Sequence, residues 1–520
     1  MKKKAKKGDR NLDKHLFEAA QQCHKRLWLD YHEPRDEAPS TSRQEMSRVG
    51  DELRELARTA FPKGVVVEEQ DAAAAAARTQ QLLADKTPVL FDAAFVADGV
   101  EARCDILVVH RDDHVDLFEI KSGTKVKHRY VNDLALQAVV LEKCGLKLKS
   151  AYLLHVNAKY AHKEGTDYPP MQLLRSADVT AKVEKQTENV ARRLQQAQLV
   201  LDEASAPELP MGTFCRTPFP CPHFARCREE APARPLFELP ELSRQQETEL
   251  HKEGIEELEA IPPDREGLTF QQRRTLASVL EDKRIVEPFV QEELRQCAWP
   301  LHFVAIAAIT EPLPRFEQQR PWQLTPFGWA AQTLHEDGRV EWQSHVHADK
   351  GDPRPGFART LARHLEVGGT IVCWGDEPIR ELRNLLDGMP DEKPAVRSLL
   401  GHAHLDLLKL CEAGVFDPAI RSHRDLRDLT RVLLGDGDGD GADLDALDRE
   451  HLRQLIDKAR TPRVRAATRE KVAEEIDAAL RWQAGRIADV FTHLGEIEKP
   501  QREASPARAA ASKPLPKLPE

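Results

Sequence analysis

The sequence has no long hydrophobic run and no nucleotide-binding loop. No apolar stretch approaches the ~20 residues that a helix needs to cross a bilayer. The basic start, MKKKAKK, is not followed by the apolar segment of a signal peptide, so we expect a cytoplasmic protein. The phosphate-binding pattern GxxxxGK[ST] is also missing. Any unwinding of DNA must therefore come from a partner, such as a helicase.

An excess of positive charge is lacking as well. The formal net charge is −10, which does not favour a nucleic-acid partner. Binding depends on local patches rather than on the whole-chain sum, however. Basic residues cluster at Lys121, Lys125, Lys127, His128 and Arg129, with Lys147 and Lys149 further along. This cluster is either a DNA-binding patch or a solvated basic loop.

The cysteines do not suggest a disulfide framework. There are nine of them, an odd number, and the expected compartment is reducing. Three lie within thirteen residues, at Cys215, Cys221 and Cys227, and Cys23 lies far upstream. Four thiolates suit either a [4Fe–4S] cluster or a tetrahedral Zn²⁺, and spacing alone does not decide between them. Either metal would staple the N-terminal helix to the end of a domain.

Length and hydrophobic periodicity predict a multidomain α/β protein. The predicted units are 1–230, a linker with short helices at 231–284, a second α/β domain at 285–443, a helical region at 444–498 and a disordered tail at 499–520. In the first unit we predict helices at 12–33, 50–61, 72–84, 128–145 and about 177–204, a loop at 34–46, and strands at 87–98, 102–110, 114–122 and 150–157.

Charged residues interrupt two of these strands. Asp105 lies in CDILVV, and Glu119 and Lys121 lie in FEIKSG. Charges inside strands are costly unless they have a function. Two carboxylates can hold Mg²⁺ or Mn²⁺ beside a phosphodiester, and a lysine can assist the attacking water. A three-residue turn at 111–113 would place residue 105 opposite residue 119, on the face that Lys121 shares.

The following helix adds a polar side chain to the same site. Tyr130, Asp133, Leu134, Gln137 and Leu141 share one helical face. The amide of Gln137 could contact DNA or a metal-bound water there, although a surface or capping role is the alternative.

Together these motifs resemble the RecB-like PD-(D/E)XK nucleases that carry an iron–sulfur cluster, the type found in AddB and in the exonuclease of CRISPR adaptation. The matching segments are QQCHKRLWL with Cys23, CDILVV with Asp105, FEIKSG with Glu119 and Lys121, LALQAVVL with Gln137, and CRTPFPCPHFARC. They span residues 12–228. The family's histidine is replaced near Gly50 by Arg54, where Glu52 or Glu55 are candidate early acids.

The resemblance implies a fold, an activity and cofactors. The fold would be a mixed sheet flanked by helices. The activity would be metal-dependent hydrolysis of DNA, at single strands or ends, in DNA repair or anti-phage defence. Asp105 and Glu119 would bind Mg²⁺ or Mn²⁺ beside Lys121 and Gln137. Cys23, Cys215, Cys221 and Cys227 would hold a [4Fe–4S] cluster rather than Zn²⁺.

Residues 297–434 resemble an RNase H-like exonuclease domain, on segments such as WPLHFVAIAAIT and GGTIVCW. The intact domain carries Asp-x-Glu on its first strand for two-metal catalysis. Here those positions are Ala305, Ile306 and Ala307. Alanine cannot coordinate a cation, so we expect this domain to be inactive.

A different class of function stays open. The nuclease fold could be kept for its shape, in a catalytically inactive nucleic-acid-binding or scaffold protein stapled by the cysteines. The loss of the acids in the second domain favours this alternative. The retained Asp105, Glu119 and Lys121 favour the enzyme.

Overall fold

The computed structural model describes residues 10–34, 41–435, 449–461 and 463–496. Residues 436–443 of the acidic loop GDGDGDGAD and the tail from 499 lie outside this range. The described residues form mixed sheets flanked by helices, followed by a helical C-terminal region, which confirms the α/β class. None of their helices is long and apolar enough to span a membrane.

The first unit contains six strands and eight helices in its described residues. In chain order they are α1 (Lys14–Gln22), α2 (His24–His32), α3 (Thr41–Arg58), β1 (Val65–Val66), α4 (Ala72–Ala84), β2 (Val89–Ala97), β3 (Val100–Val109), β4 (His114–Lys121), α5 (His128–Lys143), β5 (Lys147–Val156), α6 (Pro170–Leu173), β6 (Leu174–Asp178), α7 (Thr180–Leu201) and α8 (Phe224–Glu230).

The six strands form one mixed sheet in the order β1-β2-β3-β4-β5-β6. The β2–β3–β4 part is antiparallel, and β5 lies parallel to β4. Alternating side chains give the sheet two apolar faces. One packs in a common core with α1, α2, α4, α5 and α7, and the other packs against α3.

Three predicted boundaries in this unit were wrong. The single helix predicted at 12–33 is two helices, because the backbone is extended at Cys23 (φ −162°, ψ 128°). Residues 41–46 of the predicted loop belong to α3. The helix predicted from about 177 begins at Thr180, because residues up to Asp178 form the edge strand β6 beside β5.

The segment predicted as a linker packs around its own apolar cluster. Its helices are α9 (Arg244–Lys252) and α10 (Phe270–Glu281), each begun by a capping box, at Ser243 and Thr269 respectively. Leu236, Leu250, Leu258, Ile261 and Leu276 are buried together there. The segment is therefore compact rather than extended.

The second unit is built on a five-stranded sheet. Its elements are β7 (Ile285–Val286), α11 (Pro288–Arg295), β8 (Leu301–Thr310), β9 (Leu324–Leu334), β10 (Val340–Val346), α12 (Pro353–His364), β11 (Thr370–Cys373), α13 (Glu377–Glu381), α14 (Leu385–Gly388), α15 (Lys393–Gly401), β12 (Ala403–Asp406), α16 (Leu407–Gly414), β13 (Val415–Phe416) and α17 (Leu426–Leu434). The order is β10-β9-β8-β11-β12, with β8–β9–β10 antiparallel and β8–β11–β12 parallel.

Two C-terminal helices cover one face of this sheet. They are α18 (Arg449–Arg460) and α19 (Ala466–Glu496). Leu452, Ile456 and Leu480 of these helices lie in one apolar cluster with Ala305 and Ala307 of β8. The helical region is thus part of the core of the second unit.

Candidate carboxylate and cysteine sites

The β3–β4 hairpin has the predicted register. Ile106 pairs with Phe118, and the turn is closed at His110 and His114, so it contains residues 111–113. The paired ladder stops at Ile106 and Phe118. Beyond it, the Asp105 carboxylate accepts a hydrogen bond from the Ile120 N–H at 2.7 Å. This bond holds Asp105 beside the end of β4, where Glu119 and Lys121 lie.

Glu119 is the centre of the site and is only 3% exposed. Its Oε1 accepts hydrogen bonds from Lys121 Nζ at 2.7 Å and from Lys14 Nζ at 2.8 Å. Its Oε2 accepts one from Gln137 Nε2 at 2.7 Å. The structure therefore brings Asp105, Glu119, Lys121 and Gln137 together, as the sequence predicted.

Two residues of the site were not assigned to it from the sequence. Asp133 of α5 is 3% exposed and accepts hydrogen bonds from Lys121 Nζ, at 2.8 Å. Lys14 Nζ lies 3.2 Å from the same Asp133 oxygen. The signal for Asp133 was its spacing, since it precedes Gln137 by one helical turn on the same face. No local signal marks Lys14, which is 105 residues from Glu119 in the chain.

The two carboxyl groups of the hairpin differ in their electrostatics. Burial, followed by the negative charge of Glu119, raises the pKa of Asp105 from 3.8 to about 7. Burial alone would raise the pKa of Glu119 too, but Lys121 and Lys14 hold it well below its usual range. Glu119 is thus a permanent anion, whereas the charge on Asp105 is poorly compensated.

Gln137 has one polar atom without a partner. Its Nε2 donates to Glu119, but its buried Oε1 has no hydrogen-bond partner in the part of the chain that the structure describes. An orphaned buried acceptor costs free energy, about 1–3 kcal/mol, unless a water or ligand satisfies it. A metal-bound water or a substrate donor would fill that role.

These features fit a divalent cation. A cation would compensate Asp105, and its waters could donate to Gln137 Oε1. Mg²⁺ needs only one or two protein carboxylates, since waters and substrate oxygens complete its coordination. In the described residues, no group of three or more His, Cys, Asp and Glu side chains is arranged to hold a metal ion.

Arg54 contributes positive charge near this site. Burial alone would lower the pKa of its guanidinium, and the charge of Asp105 is the largest effect that raises it. The candidate early acids are placed elsewhere: Glu52 is exposed and pairs with Arg48, and Glu55 is exposed and pairs with Arg58. The position near Gly50 therefore supplies a cation rather than an acid.

The four candidate cysteine ligands come together in space. The pKa of the Cys215 thiol is raised to about 11, chiefly by burial and to a smaller extent by the nearby Cys221, Cys23 and Cys227. All four are free thiols, and the backbone N–H of Cys221 donates to the Cys215 carbonyl at 2.8 Å. Four thiolates are the number that such a metal group needs. In the described residues, however, the four cysteine side chains are not arranged to hold a metal ion.

Contacts between α2 and α8 hold this cysteine segment closed. His223 Nε2 lies 2.8 Å from Asp30, Lys25 lies 2.7 Å from Glu230, and Arg226 lies 2.6 Å from Glu33. The long chain between Cys23 and Cys215 is thus closed by polar contacts between these elements.

The helix α1 joins the two sites. Lys14, at its first position, binds the carboxylates. Gln22, at its last position, donates through Nε2 to the carbonyls of Phe214 at 2.7 Å and Phe219 at 2.8 Å. The extended backbone at Cys23 follows at once. One helix therefore connects the cysteine segment with Glu119.

The second unit has no equivalent carboxylate pair at the predicted positions. Ala305 and Ala307 are 2% and 3% exposed and pack under the C-terminal helices. Asp376 pairs with Arg380 and Lys409, and Asp406 accepts backbone N–H bonds at the start of α16. The remaining acids at this edge thus make structural contacts.

Comparison with known proteins bears on the second unit only. Residues 303–424 match the model of a family described as a domain of unknown function, DUF2779. No curated protein matches the chain. The matched range begins in β8 and ends just before α17, so it excludes both the carboxylate and the cysteine sites.

Proposed function

We propose that the chain is a Mg²⁺- or Mn²⁺-dependent deoxyribonuclease that acts on single-stranded DNA or DNA ends. The observation that carries this is the joint packing of Asp105, Glu119, Lys121 and Gln137, which includes an undercompensated carboxyl and an orphaned acceptor. Perturbed charge pairs of this kind concentrate at functional sites. A role in repair or anti-phage defence, beside a helicase or other partner, rests on the sequence resemblance.

Each side chain has a distinct role in this proposal. Asp105 and Glu119 would hold the cation, which would supply charge to polarise the scissile phosphate and to lower the pKa of bound water. Lys121 directs the attacking water and stabilises the charge that develops on phosphorus. Gln137 positions a water or a hydrogen-bond donor of the DNA, which donates to its free Oε1. Lys14 and Asp133 hold Lys121 and Glu119 in place.

Replacing Lys121 by alanine should reduce metal-dependent cleavage by at least about a hundredfold, because an electrostatic partner of the transition state is lost. The fold should survive, since Lys14 still pairs with both Glu119 and Asp133. The measurement is cleavage of end-labelled single- and double-stranded DNA with Mg²⁺, with Mn²⁺ and with EDTA. Circular dichroism would confirm that the variant is folded.

A matched control is Lys143→Ala, because Lys143 is exposed and pairs with Asp98 outside the site. It should cleave like the wild type. Equal cleavage by Lys121→Ala and the wild type would refute the assignment. DNA binding without metal-dependent cleavage in either protein would instead support the inactive binding protein.

The proposal extends to a [4Fe–4S] cluster on Cys23, Cys215, Cys221 and Cys227. In such a cluster each thiolate binds a different iron, and the group acts as a staple that closes the long loop. The support is the gathering of the four thiols between α2 and α8. Zn²⁺ on the same thiolates is the competing assignment.

Anaerobic purification should give a brown protein with broad visible absorbance and bound iron. Cys221→Ser should lose the colour and the iron, and its thermal unfolding temperature should fall, since metal binding is coupled to folding. Cys144→Ser is the control, because Cys144 is exposed and lies outside the ligand set. Stoichiometric zinc in a colourless protein would contradict the cluster.

The sheet order and the strand directions of the second unit support an RNase H-like fold for it. We propose that it does not hydrolyse DNA, because Ala305 and Ala307 replace the metal-binding acids and are buried. Cleavage would then take place only at the site in the first unit.

A further inference from the structure

A loop of the second unit reaches across to the first. It comprises residues 311–323, between β8 and β9. The Gln318 N–H donates to the His162 carbonyl at 2.8 Å, and Tyr168 Oη donates to the Pro314 carbonyl at 2.7 Å. Leu313 packs against the apolar cluster on the α3 face of the first sheet. This loop therefore holds a fixed position beside the carboxylate site.

Trp322 is the residue of this loop that makes a hydrogen bond next to Lys121 of the site. Its indole Nε1–H donates to the Ser122 carbonyl at 2.7 Å, and Ser122 directly follows Lys121. The side chain is nevertheless 39% exposed. Its backbone has a φ of 62°, a left-handed conformation that is unfavourable for a bulky residue. A turn alone would be better served by glycine or asparagine, so the ring itself is the feature that needs a reason.

A second exposed ring lies against the start of α5. The Arg129 guanidinium lies 5.0 Å from the ring centre of Phe219, which belongs to the cysteine segment and is 46% exposed. Between Ser122 and Arg129, the side chains of Lys125, Lys127 and His128 are exposed. An exposed aromatic ring thus adjoins each end of a basic segment that begins next to Lys121.

Aromatic rings beside a row of cations are the chemistry that binds unpaired nucleotides. Bases stack on the rings and phosphates pair with the cations, and a paired base cannot offer its face in this way. We propose that Trp322 is a substrate-binding residue of the site, which stacks on a base of single-stranded DNA as the strand crosses the basic segment. The inactive second unit then serves the nuclease by supplying this ring. The inference rests on the proposed nuclease function and names the strand that its site accepts.

The test is binding of the full-length chain to labelled oligo(dT) of about 15 nucleotides and to a duplex of the same length, in EDTA so that no cleavage occurs. Trp322→Ala should weaken oligo(dT) binding about tenfold, the usual loss for one stacked base, and should leave duplex binding nearly unchanged. Trp322→Phe should keep most of the affinity for oligo(dT), because it keeps an aromatic ring. It loses only the hydrogen bond to Ser122. With Mn²⁺, Trp322→Ala should raise KM for single strands with little change in kcat.

Trp342→Ala is the matched control, since Trp342 is 42% exposed on β10 of the same unit. It should bind like the wild type. If Trp322 only anchors one unit to the other, Trp322→Phe and Trp322→Ala will weaken the binding of oligo(dT) and of the duplex alike. Both variants will also lower the unfolding temperature, and this result would overturn the inference. Unchanged oligo(dT) binding by Trp322→Ala, or none by the wild type, also overturns it. Ring-dependent binding without cleavage would sustain the inference and remove the nuclease proposal.

Discussion

Asp105→Asn should lose cleavage by about a thousandfold or more and, at the same time, become more stable than the wild type. Cleavage is lost because asparagine brings no negative charge to the cation, whose contribution is worth several kcal/mol. The local structure should persist, since the amide oxygen can still accept the Ile120 N–H bond. Opposite effects on activity and stability are the expected signature of a functional carboxylate in an unfavourable environment.

The stability gain follows from the pKa of Asp105. The folded chain holds this proton with a pKa of about 7, whereas the ordinary value is 3.8. Between these values the folded state binds more protons than the unfolded state, so the wild type loses stability as the pH rises. Asparagine removes that loss. The difference in the free energy of unfolding should grow from pH 4 upward and level off above about pH 7, at about 4 kcal/mol, since each pKa unit is worth about 1.4 kcal/mol.

Denaturant unfolding in EDTA at pH 5 and pH 8 measures this difference, alongside cleavage with Mn²⁺. Asp116→Asn is a suitable control, because Asp116 pairs with His110 at the turn end of the hairpin. It should keep its cleavage activity. An Asp105→Asn variant that cleaves normally, or that is less stable than the wild type at pH 8, would contradict the role assigned to Asp105.

Ala305→Asp should destabilise the second unit strongly, by about 3–5 kcal/mol, and should give no nuclease activity there. Ala305 is 2% exposed and shares an apolar cluster with Leu455 and Ile476 of the C-terminal helices. A carboxylate at this position would be buried without a partner. Restoring one acid therefore cannot restore a metal site, because α18 and α19 occupy the space above it.

The unfolding temperature and the hydrogen exchange of α19 would report this effect. The destabilisation should be larger at pH 8 than at pH 4, since the introduced carboxyl group can be buried as the neutral acid at low pH. Val340→Asp is the control, because Val340 is 49% exposed on β10, and it should change stability by less than about 0.5 kcal/mol. A stable Ala305→Asp variant that gains metal-dependent cleavage would show that the second unit can be active.

Much of the first sheet could be predicted from local patterns. The helix predicted at 72–84 has those bounds, and the helix predicted at 128–145 forms from His128 to Lys143. The turn at 111–113 was predictable from the site hypothesis, because a three-residue turn places Asp105 on the face that Glu119 and Lys121 share and a two-residue turn does not. Repeating hydrophobic spacing is a local property, and it survives whatever the rest of the chain does.

Other features had no local signal. The break at Cys23 interrupts a segment whose apolar spacing continues from α1 into α2, so periodicity predicts a single helix. The extended backbone there accompanies the packing of both helices against distant parts of the chain. Trp322 likewise has no pattern around it in the sequence that predicts a role. Only its hydrogen bond to Ser122, 200 residues away, places it beside the carboxylates.

The sequence by itself determined the strands β2 to β5, the hairpin register and the chemical character of Asp105, Glu119 and Lys121, because each depends on residues close to one another in the chain. Only the tertiary structure decided that Lys14 neutralises Glu119 and that the C-terminal helices close the second sheet. It also decided that a loop from the second unit reaches the carboxylate site of the first. These are contacts between distant segments, and they arise from packing, which spacing along the chain does not encode.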